Sequence, residues 1–296
     1  MQLLFFLVLY PVLWLVSILP FRLLYTFSDF IYLIVYYVIR YRLRIVRSNI
    51  AMALPHLSEK ERREIEKKSY QHLCDMFLEM VKTMTISEKE ISERFTYTNL
   101  EVYLDLEKKG KSIALLCAHY ASYEWVISMN YHTTFKAFAI YKKVANVYFD
   151  RLVRKIRSRF KATLITTKET IPTIEANQAA GILGVYGFAG DQSPKASKVF
   201  HRTKFMGIDS AVITGAEMLS KRFDMNIIFL KVKKIKRGYY YATFEQPTEN
   251  VKEIPNYEIS DRFLACVEKQ IYEAPEFYLW THKRWKSTMT KGQTTV

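Results

Sequence analysis

The chain has 296 residues, half of them hydrophobic, which is enough for one large domain or two small ones with a sizeable core. Its net charge of +15 indicates an anionic partner: nucleic acid, a membrane surface or an acidic substrate. The three cysteines are far apart and form no CxxC pattern, which argues against a disulfide framework or a zinc site and favours a reducing compartment.

The N-terminal residues 3–39 are almost entirely apolar, and their charged side chains are Arg22 and Asp29. A membrane-spanning helix needs about 20 apolar residues, so the segment is long enough for one span plus an interfacial helix, or for two short spans. A pair of buried core helices is the alternative. We expect residues 1–39 to be a membrane anchor, because the apolar character leaves no polar face. The segment does not resemble a signal peptide, since it has no basic region before it and no small-residue cleavage site after it.

Four arginines follow the apolar segment: Arg40, Arg42, Arg44 and Arg47. Basic residues beside a membrane span mark its cytoplasmic side, and they attract anionic headgroups. We therefore predict that residues 40–296 form a cytoplasmic domain at the membrane, with a helical lead-in over 40–95 and an α/β core over 96–285. The sequence contains no nucleic-acid-binding motif, so a membrane accounts best for the positive charge.

The remaining chain shows the pattern of an α/β fold. Residues 48–94 are predicted to be helical, with Ser58 and Glu61 as a capping box. From Lys111 onward, apolar runs alternate with amphipathic stretches, which predicts a mostly parallel mixed sheet flanked by helices. The predicted strands are SIALLCA, FKAFAIY, ATLITT, GILGVYGFA, NIIFLKVKKI and YYYATFE, and the last two are expected to form an antiparallel hairpin. The predicted helices are one from about Ser122, NVYFDRLVRKIRSRF, TIPTIEANQAA, DSAVITGAEMLSKRF and residues 257–273.

The stretch LLCAHYASYEW, residues 115–125, carries the clearest chemical signal. His119 follows a predicted buried strand, and Glu124 would fall in the first turn of the next helix. The carboxyl ends of strands are where ligands bind in open α/β sheets, and a helix N-terminus favours a carboxylate. Glu124 is therefore expected to accept a hydrogen bond from one nitrogen of His119, which leaves the other nitrogen free to take a proton.

Two alternatives stand beside this interpretation. A histidine and a glutamate five positions apart also occur by chance. Cys117 would share a strand face with His119 and is a conceivable nucleophile, but its apolar surroundings would raise the pKa of its thiol.

The motif HYASYEW resembles the H-x-x-x-x-D/E signature of the glycerolipid acyltransferases, in the version found in the bacterial lipid A lauroyl and myristoyl transferases. The resemblance covers nearly the whole chain, including the apolar N-terminus and several further segments. These segments are RIVRSNIAMALPHLSEKERREI, IYK, GDQ, FMGIDSAVITGAEMLSKR and YLWTHKRWK.

This resemblance implies a glycerol-3-phosphate acyltransferase-like fold and the transfer of an acyl chain from acyl carrier protein to a lipid hydroxyl. In lipid A that hydroxyl belongs to an already attached hydroxyacyl chain. His119 would deprotonate it, and Glu124 would orient His119. No metal and no organic cofactor would be needed. The catalytic domain would face the cytoplasm at the bacterial inner membrane.

The resemblance also implies substrate-binding residues. Lys142 stands where the family commonly has arginine, and Lys143 follows it. Asp191 and Gln192 match a D-Q pair, but Ser193 replaces the family's second acid. At the C-terminal end, Arg284 belongs to a basic and aromatic motif, which also contains Trp280, Lys283 and Lys286.

Three other functions remain open from the sequence. The acceptor could be another hydroxyacylated lipid, such as an aminoacyl or pigment lipid, because Lys142 and Ser193 depart from the family pattern. The chain could be a non-catalytic membrane protein that binds anionic lipid, although the presence of both His119 and Glu124 argues against that. It could also be a thioesterase, in which water accepts the acyl group.

Overall fold

The computed structural model describes residues 1–285. The strands of these residues are β1 (Phe95–Tyr97), β2 (Ile113–Cys117), β3 (Lys136–Tyr141), β4 (Ala162–Thr166), β5 (Gly184–Ala189), β6 (Arg202–Phe205), β7 (Ile208–Ala211), β8 (Asn226–Lys236) and β9 (Tyr239–Glu245). The centre of the structure is a seven-stranded sheet in the order β1-β9-β8-β2-β5-β3-β4. Neighbouring strands are parallel except for the antiparallel pair β8 and β9. The predicted mostly parallel mixed sheet and the hairpin are both confirmed.

Helices precede the sheet, alternate with its strands and close the chain. The α-helices within residues 1–285 are α1 (Gln2–Ile18), α2 (Phe21–Leu33), α3 (Leu43–Ala53), α4 (Glu59–Lys82), α5 (Glu88–Arg94), α6 (Leu100–Lys108), α7 (Val147–Ser158), α8 (Thr170–Ala179), α9 (Gly215–Arg222) and α10 (Glu258–Glu273). The helix α4 begins at the predicted capping box, because the Ser58 hydroxyl accepts the Glu61 N–H and the Glu61 carboxylate accepts the Ser58 N–H.

Strand β2 lies at the centre of the sheet, with β5 on one side and β8 on the other. Its residues Ile113, Ala114, Leu115 and Leu116 are all buried. Strands of parallel sheets are covered on both faces and are therefore apolar throughout, without alternation. This position places the end of β2, where His119 follows, in the middle of the sheet edge.

Two predicted helices differ in the structure. The helix expected from about Ser122 is replaced by a turn, in which Ala121 has a φ of +49°, and by a short 3₁₀ helix over Trp125–Tyr131. The helix expected from Asp209 begins only at Gly215, because the β-hairpin of β6 and β7 precedes it. The hairpin turn at Met206 and Gly207 has positive φ at both residues, which is the geometry that closes two-residue hairpins. The elements β1 and α6 were not predicted.

The two N-terminal helices pack against α4 and carry apolar side chains on the surface. A π-helical turn, Ile34–Ile39, continues α2. Within residues 1–285, the combined segment Phe21–Ile39 is the one helix that is long and apolar enough to cross a membrane, judged by length and composition. The helix α1 is apolar but has 17 residues.

Candidate active site

The candidate site lies at the carboxyl end of β2, where His119 leaves the sheet. A C-terminal segment, residues 277–284, holds the backbone there, and we call it the strap. The Leu279 N–H donates to the His119 carbonyl at 3.1 Å, and the Ala121 N–H donates to the Phe277 carbonyl at 2.9 Å. The position of His119 is therefore fixed both by the sheet and by a segment more than 150 residues away in sequence.

Asp191 is the hydrogen-bond partner of the His119 ring. Its Oδ1 lies 2.8 Å from Nδ1 of His119 and also accepts the His119 backbone N–H at 3.1 Å. Because a carboxylate only accepts hydrogen bonds, Nδ1 carries the proton and Nε2 of the neutral ring is free to accept one. Asp191 reaches this position because it follows β5, the parallel neighbour of β2, and both strands end at the same edge.

Glu124 does not make the hydrogen bond to His119 that the sequence predicted, and this assignment is corrected. Its Oε2 accepts instead from Nη2 of Arg157 at 2.8 Å. The predicted helix does not form after His119, so the chain turns and Glu124 lies at the start of the 3₁₀ helix, facing α7. The side chains of Glu124 and Arg157 are 16% and 24% exposed, so the ion pair lies partly buried beside the histidine.

Two opposing effects set the pKa of His119. Burial lowers the pKa, but the charge and hydrogen bond of Asp191, with a smaller effect from Glu124, outweigh burial and raise it above the ordinary value of 6.5. For Asp191, burial raises the pKa, while the charge and hydrogen bonds of His119 bring it below the ordinary 3.8. Asp191 is therefore ionised, and its negative charge makes His119 a stronger base.

Cys117 is not suited to be the nucleophile. Burial, followed by the charges of Asp191 and Glu124, raises the pKa of its thiol to about 12. The thiol also donates to the carbonyl of Phe188, with the sulfur 3.6 Å from the oxygen. Because the thiolate is the reactive form, these surroundings leave His119 as the better candidate for the reacting group.

A cleft of about 490 Å³ extends from His119, within the range of about 300–1,000 Å³ that ligand pockets occupy. Its lining includes His119, Glu124 and Arg157. The strands β2, β5 and β3 contribute small or apolar residues in register, since Gly187 pairs with Leu115 on one side and with Ala139 on the other. Further apolar lining residues are Met80, Val126, Ile127, Met129, Phe138, Ile140, Val153 and Val185. Such a cleft accommodates a long apolar ligand with its reactive end beside the histidine.

The other predicted site residues differ in their exposure and in whether they line the cleft. Lys142 is exposed and lines the cleft, whereas Lys143 is exposed but does not line it. Gln192 follows Asp191 and is half-buried. Arg284 is 1% exposed and donates to the Ala211 carbonyl at 3.0 Å, so its guanidinium lies inside the protein rather than in the cleft. Lys286 lies outside the described residues.

Arg157 and Asn49 are two site residues that the sequence did not reveal. Arg157 belongs to the predicted basic helix, but nothing in its spacing indicates Glu124. Asn49 of α3 is buried, and its amide group donates to the carbonyls of Trp280 and His282, both at 2.7 Å. It therefore holds the strap that in turn holds the His119 backbone. Among residues 1–285, no cluster of three or more His, Cys, Asp or Glu side chains could hold a metal ion.

Comparison with known proteins gives two findings. The profile of a family described as "Bacterial lipid A biosynthesis acyltransferase" matches residues 2–287. The chain is also 24% identical, over 277 residues, to "Lipid A biosynthesis lauroyltransferase" of Escherichia coli (strain K12). That alignment covers 93% of this chain and 89% of the relative.

Proposed function

The chain belongs to the bacterial lipid A biosynthesis acyltransferases, and we propose that it moves a fatty acyl chain from acyl carrier protein to a hydroxyl of a hydroxyacyl chain on a lipid A precursor. The family makes it an enzyme; the carrier-protein donor and the secondary acylation are the proposal. The observation that carries the proposal is that His119, bonded to Asp191, lines a largely apolar cleft.

In the proposed mechanism, His119 is the general base and Asp191 positions it. Nε2 of His119 takes the proton of the lipid hydroxyl while the oxygen attacks the thioester carbonyl, forming the new C–O bond. Asp191 fixes the tautomer and stabilises the imidazolium that forms. The tetrahedral intermediate then collapses with cleavage of the C–S bond, and the leaving thiolate receives the proton from His119. Every proton is accounted for without a metal or an organic cofactor.

Glu124 keeps a proposed catalytic role, although not the one expected from the motif. Its carboxylate raises the pKa of His119 through space, after burial and the larger effects of Asp191. Its partner in the ion pair, Arg157, lines the same cleft as His119. We propose that Glu124 stabilises the imidazolium electrostatically and that Arg157 contributes positive charge where negative charge develops on the thioester oxygen.

The cleft is the proposed acyl-chain site, and the basic residues around it are the proposed contacts of the anionic substrates. Lys142 lies at the lining of the cleft, and Lys143 and Gln192 are the other candidates for polar contacts. For Arg284, burial and the bond to Ala211 favour a role in supporting the Asp191 loop, since Arg284 also lies 3.3 Å from the Ser193 hydroxyl. The proposed location is the cytoplasmic face of the bacterial inner membrane.

The test is acyl transfer by the purified chain, measured by mass spectrometry of the lipid product. With acyl carrier protein thioester and a lipid A precursor, we expect the lipid mass to increase by one acyl group. His119→Asn is expected to lower the rate by about 10²–10⁴-fold, the contribution of a general base. Transfer from acyl-coenzyme A alone would contradict the proposed donor, and release of free fatty acid without a lipid product would indicate a thioesterase.

The matched control is His56→Asn, because His56 is an exposed histidine outside the cleft. This variant is expected to retain the wild-type rate. If His119→Asn also retains the wild-type rate while the protein stays folded, His119 is not the base and the proposed mechanism fails.

A further inference from the structure

Polar contacts join the two N-terminal helices to the body of the protein, by which we mean residues 43–285. Three side chains of α2 and its continuation bond to acidic residues of α4: Tyr25 to Glu79 at 2.8 Å, Ser28 to Asp75 at 2.7 Å, and Tyr36 to Glu66 at 2.7 Å. The order of the partners shows that α2 and α4 run antiparallel. The pairs extend over most of Phe21–Ile39, so this segment has no free length that projects away from α4.

A network of ion pairs also joins α2 to the β-sheet. Arg237, in the turn between β8 and β9, pairs with Asp29 of α2 and with Asp75 of α4, each at 2.6 Å. Asp75 is 2% exposed on its side chain, so this part of the network is buried. The helix α2 is thus held to both α4 and the β-sheet by ion pairs. Separating them would leave the buried charge of Asp75 without its partner, which costs free energy.

The helix α1 contacts the same body at both of its ends. At its start, the Gln2 carbonyl accepts from the Asn146 amide at 3.2 Å, beside α7. At its end, the carbonyls of Ser17 and Leu19 accept from Thr85 and Lys82, at the end of α4. A helix of 17 residues is about 26 Å long. It therefore runs across the surface of the body rather than away from it.

These contacts are incompatible with a helix that crosses a bilayer by itself. A spanning helix has its ends on opposite sides of a hydrocarbon layer about 30 Å thick. If α2 crossed, α4 would have to cross with it, although α4 carries the exposed side chains of Lys67, Lys68 and Gln71 beside the paired stretch. Charged residues within a membrane are expensive, and these lysines would be placed there without partners.

The outward faces of α1 and α2 nevertheless expose many apolar side chains. The exposed large side chains on these helices and the π-helical turn are Leu3, Leu4, Phe5, Leu7, Val8, Val12, Trp14, Leu15, Ile18, Leu23, Phe30, Leu33, Tyr37, Val38 and Ile39. Exposed basic residues lie at the two ends of α2, with Arg22 at one end and Arg40, Arg42 and Arg44 after the other. An apolar face with adjoining arginines matches the chemistry of an anionic bilayer surface.

We propose that the chain is monotopic: α1 and α2 lie in the plane of one anionic leaflet with their outward faces in the lipid, and neither helix crosses the bilayer. The inference concerns membrane topology and does not depend on the identity of the acyl donor or acceptor. It also places the cleft at the lipid surface, because α1 packs against α4 and α7, which contribute Met80 and Val153 to the cleft lining. A lipid in that leaflet reaches His119 without leaving the membrane.

The first experiment measures topology with single cysteines and a membrane-impermeant maleimide. The cysteines are introduced as Gln2→Cys, Arg22→Cys and Arg40→Cys in the full chain with Cys74, Cys117 and Cys266 replaced by alanine. The three positions mark both ends of both helices, and Lys60→Cys on the exposed start of α4 is the matched control. Labelling is compared between intact spheroplasts, inverted membrane vesicles and detergent-lysed membranes.

A monotopic chain gives no labelling of any of these positions from the outside of spheroplasts, while each cysteine reacts in lysed membranes. Lys60→Cys reacts in inverted vesicles. If α2 spans, either Arg22→Cys or Arg40→Cys must react from outside, and if α1 spans, the same holds for Gln2→Cys or Arg22→Cys. Outside labelling of any one position therefore overturns the proposal. The readout is independent of acyl transfer.

The second experiment uses tryptophan fluorescence to test that lipid is the occupant of the apolar face. Of the four tryptophans, Trp14 on α1 is 45% exposed, whereas Trp125, Trp280 and Trp285 are at most 2% exposed. Brominated phospholipids in proteoliposomes should quench the Trp14 emission, and Trp14→Phe should remove most of that quenching. Quenching that is absent in the unmodified chain, or unchanged in Trp14→Phe, would mean that protein rather than lipid covers this face.

Discussion

At the residue scale, Asp191 determines what His119 can do. The aspartate supplies a fixed acceptor for Nδ1, a negative charge beside the ring and a second bond to the His119 backbone. Together these effects raise the pKa of His119 against the opposing effect of burial. In the proposed mechanism the neutral ring accepts the hydroxyl proton, so activity should increase as the pH rises through this elevated pKa.

Asp191→Asn should change both the rate and its pH dependence. Removing the charge takes away the largest contribution that raises the pKa of His119, so the acidic limb of the kcat/KM profile is expected to move to lower pH. The rate at the optimum should fall by about a hundredfold, because the ring loses its fixed tautomer. The measurement is kcat/KM for acyl transfer as a function of pH.

Asp105→Asn is the matched control for this substitution, because Asp105 is an exposed carboxylate that pairs with Lys108 outside the cleft. It should leave the profile unchanged. A reduced rate in Asp191→Asn with an acidic limb at the wild-type pH would show that Asp191 supports the fold rather than the base.

At the scale of elements, three parallel strands form the floor of the cleft. Gly187 of β5 lies between Leu115 of β2 and Ala139 of β3, so the middle residue of this row has no side chain. A Cβ atom at Gly187 would have the Phe138 carbonyl oxygen as its nearest neighbour at 3.7 Å, an ordinary contact. The glycine therefore leaves space in the cleft rather than relieving a backbone clash.

Gly187→Leu should reduce the longest acyl chain that the enzyme accepts. The added side chain occupies part of the 490 Å³ cleft without displacing the neighbouring strands, so shorter donors should keep most of their rate while longer donors lose it. The measurement is kcat/KM over a series of acyl carrier protein thioesters of increasing chain length.

Thr163→Leu provides the control for this change, since Thr163 is exposed on the edge strand β4 and does not line the cleft. Its chain-length profile should match the wild type. An unaltered profile in Gly187→Leu would show that the acyl chain binds elsewhere.

At the scale of the whole molecule, net charge and the apolar N-terminal face both suit the proposed partner, an anionic membrane. The charge of +15 would attract an anionic surface over a distance, whereas the apolar side chains would bind once they enter the lipid. Salt weakens only the attraction between charges, because the Debye length decreases from about 10 Å at 0.1 M to about 3 Å at 1 M ionic strength. The insertion of apolar side chains into lipid is not screened in this way.

Binding of the purified chain to vesicles that contain anionic phospholipid should therefore weaken with salt but persist. We expect the affinity to fall by about tenfold or more, since each basic residue near the surface contributes about 1 kcal/mol. Co-sedimentation at the two salt concentrations measures this, with vesicles of neutral lipid as the control, for which salt should have little effect. Complete release at high salt would show that the apolar face does not enter the lipid.

Much of the fold was predictable because its signals are local. The alternation of apolar runs and amphipathic stretches depends on neighbouring residues, and it predicted the parallel sheet, the hairpin of β8 and β9 and the position of His119 at the end of a strand. Where local signals were ambiguous, prediction failed. The segment after His119 has helical composition but forms a turn, because the strap bonds to the backbone of His119 and Ala121.

The sequence by itself determined the proposed acid–base residue, the strand that precedes it and the apolar N-terminus, since composition, periodicity and a motif suffice for these. Only the tertiary structure decided the partner of His119, the pairing of Glu124 with Arg157, and the docking of α2 on α4. The physical reason is that each of these contacts joins residues far apart in the chain, and the order of strands in the sheet and the packing of helices set which of them meet. Asp191 lies beside His119 because β5 is the neighbour of β2 in the sheet. No local sequence pattern predicts that neighbourhood.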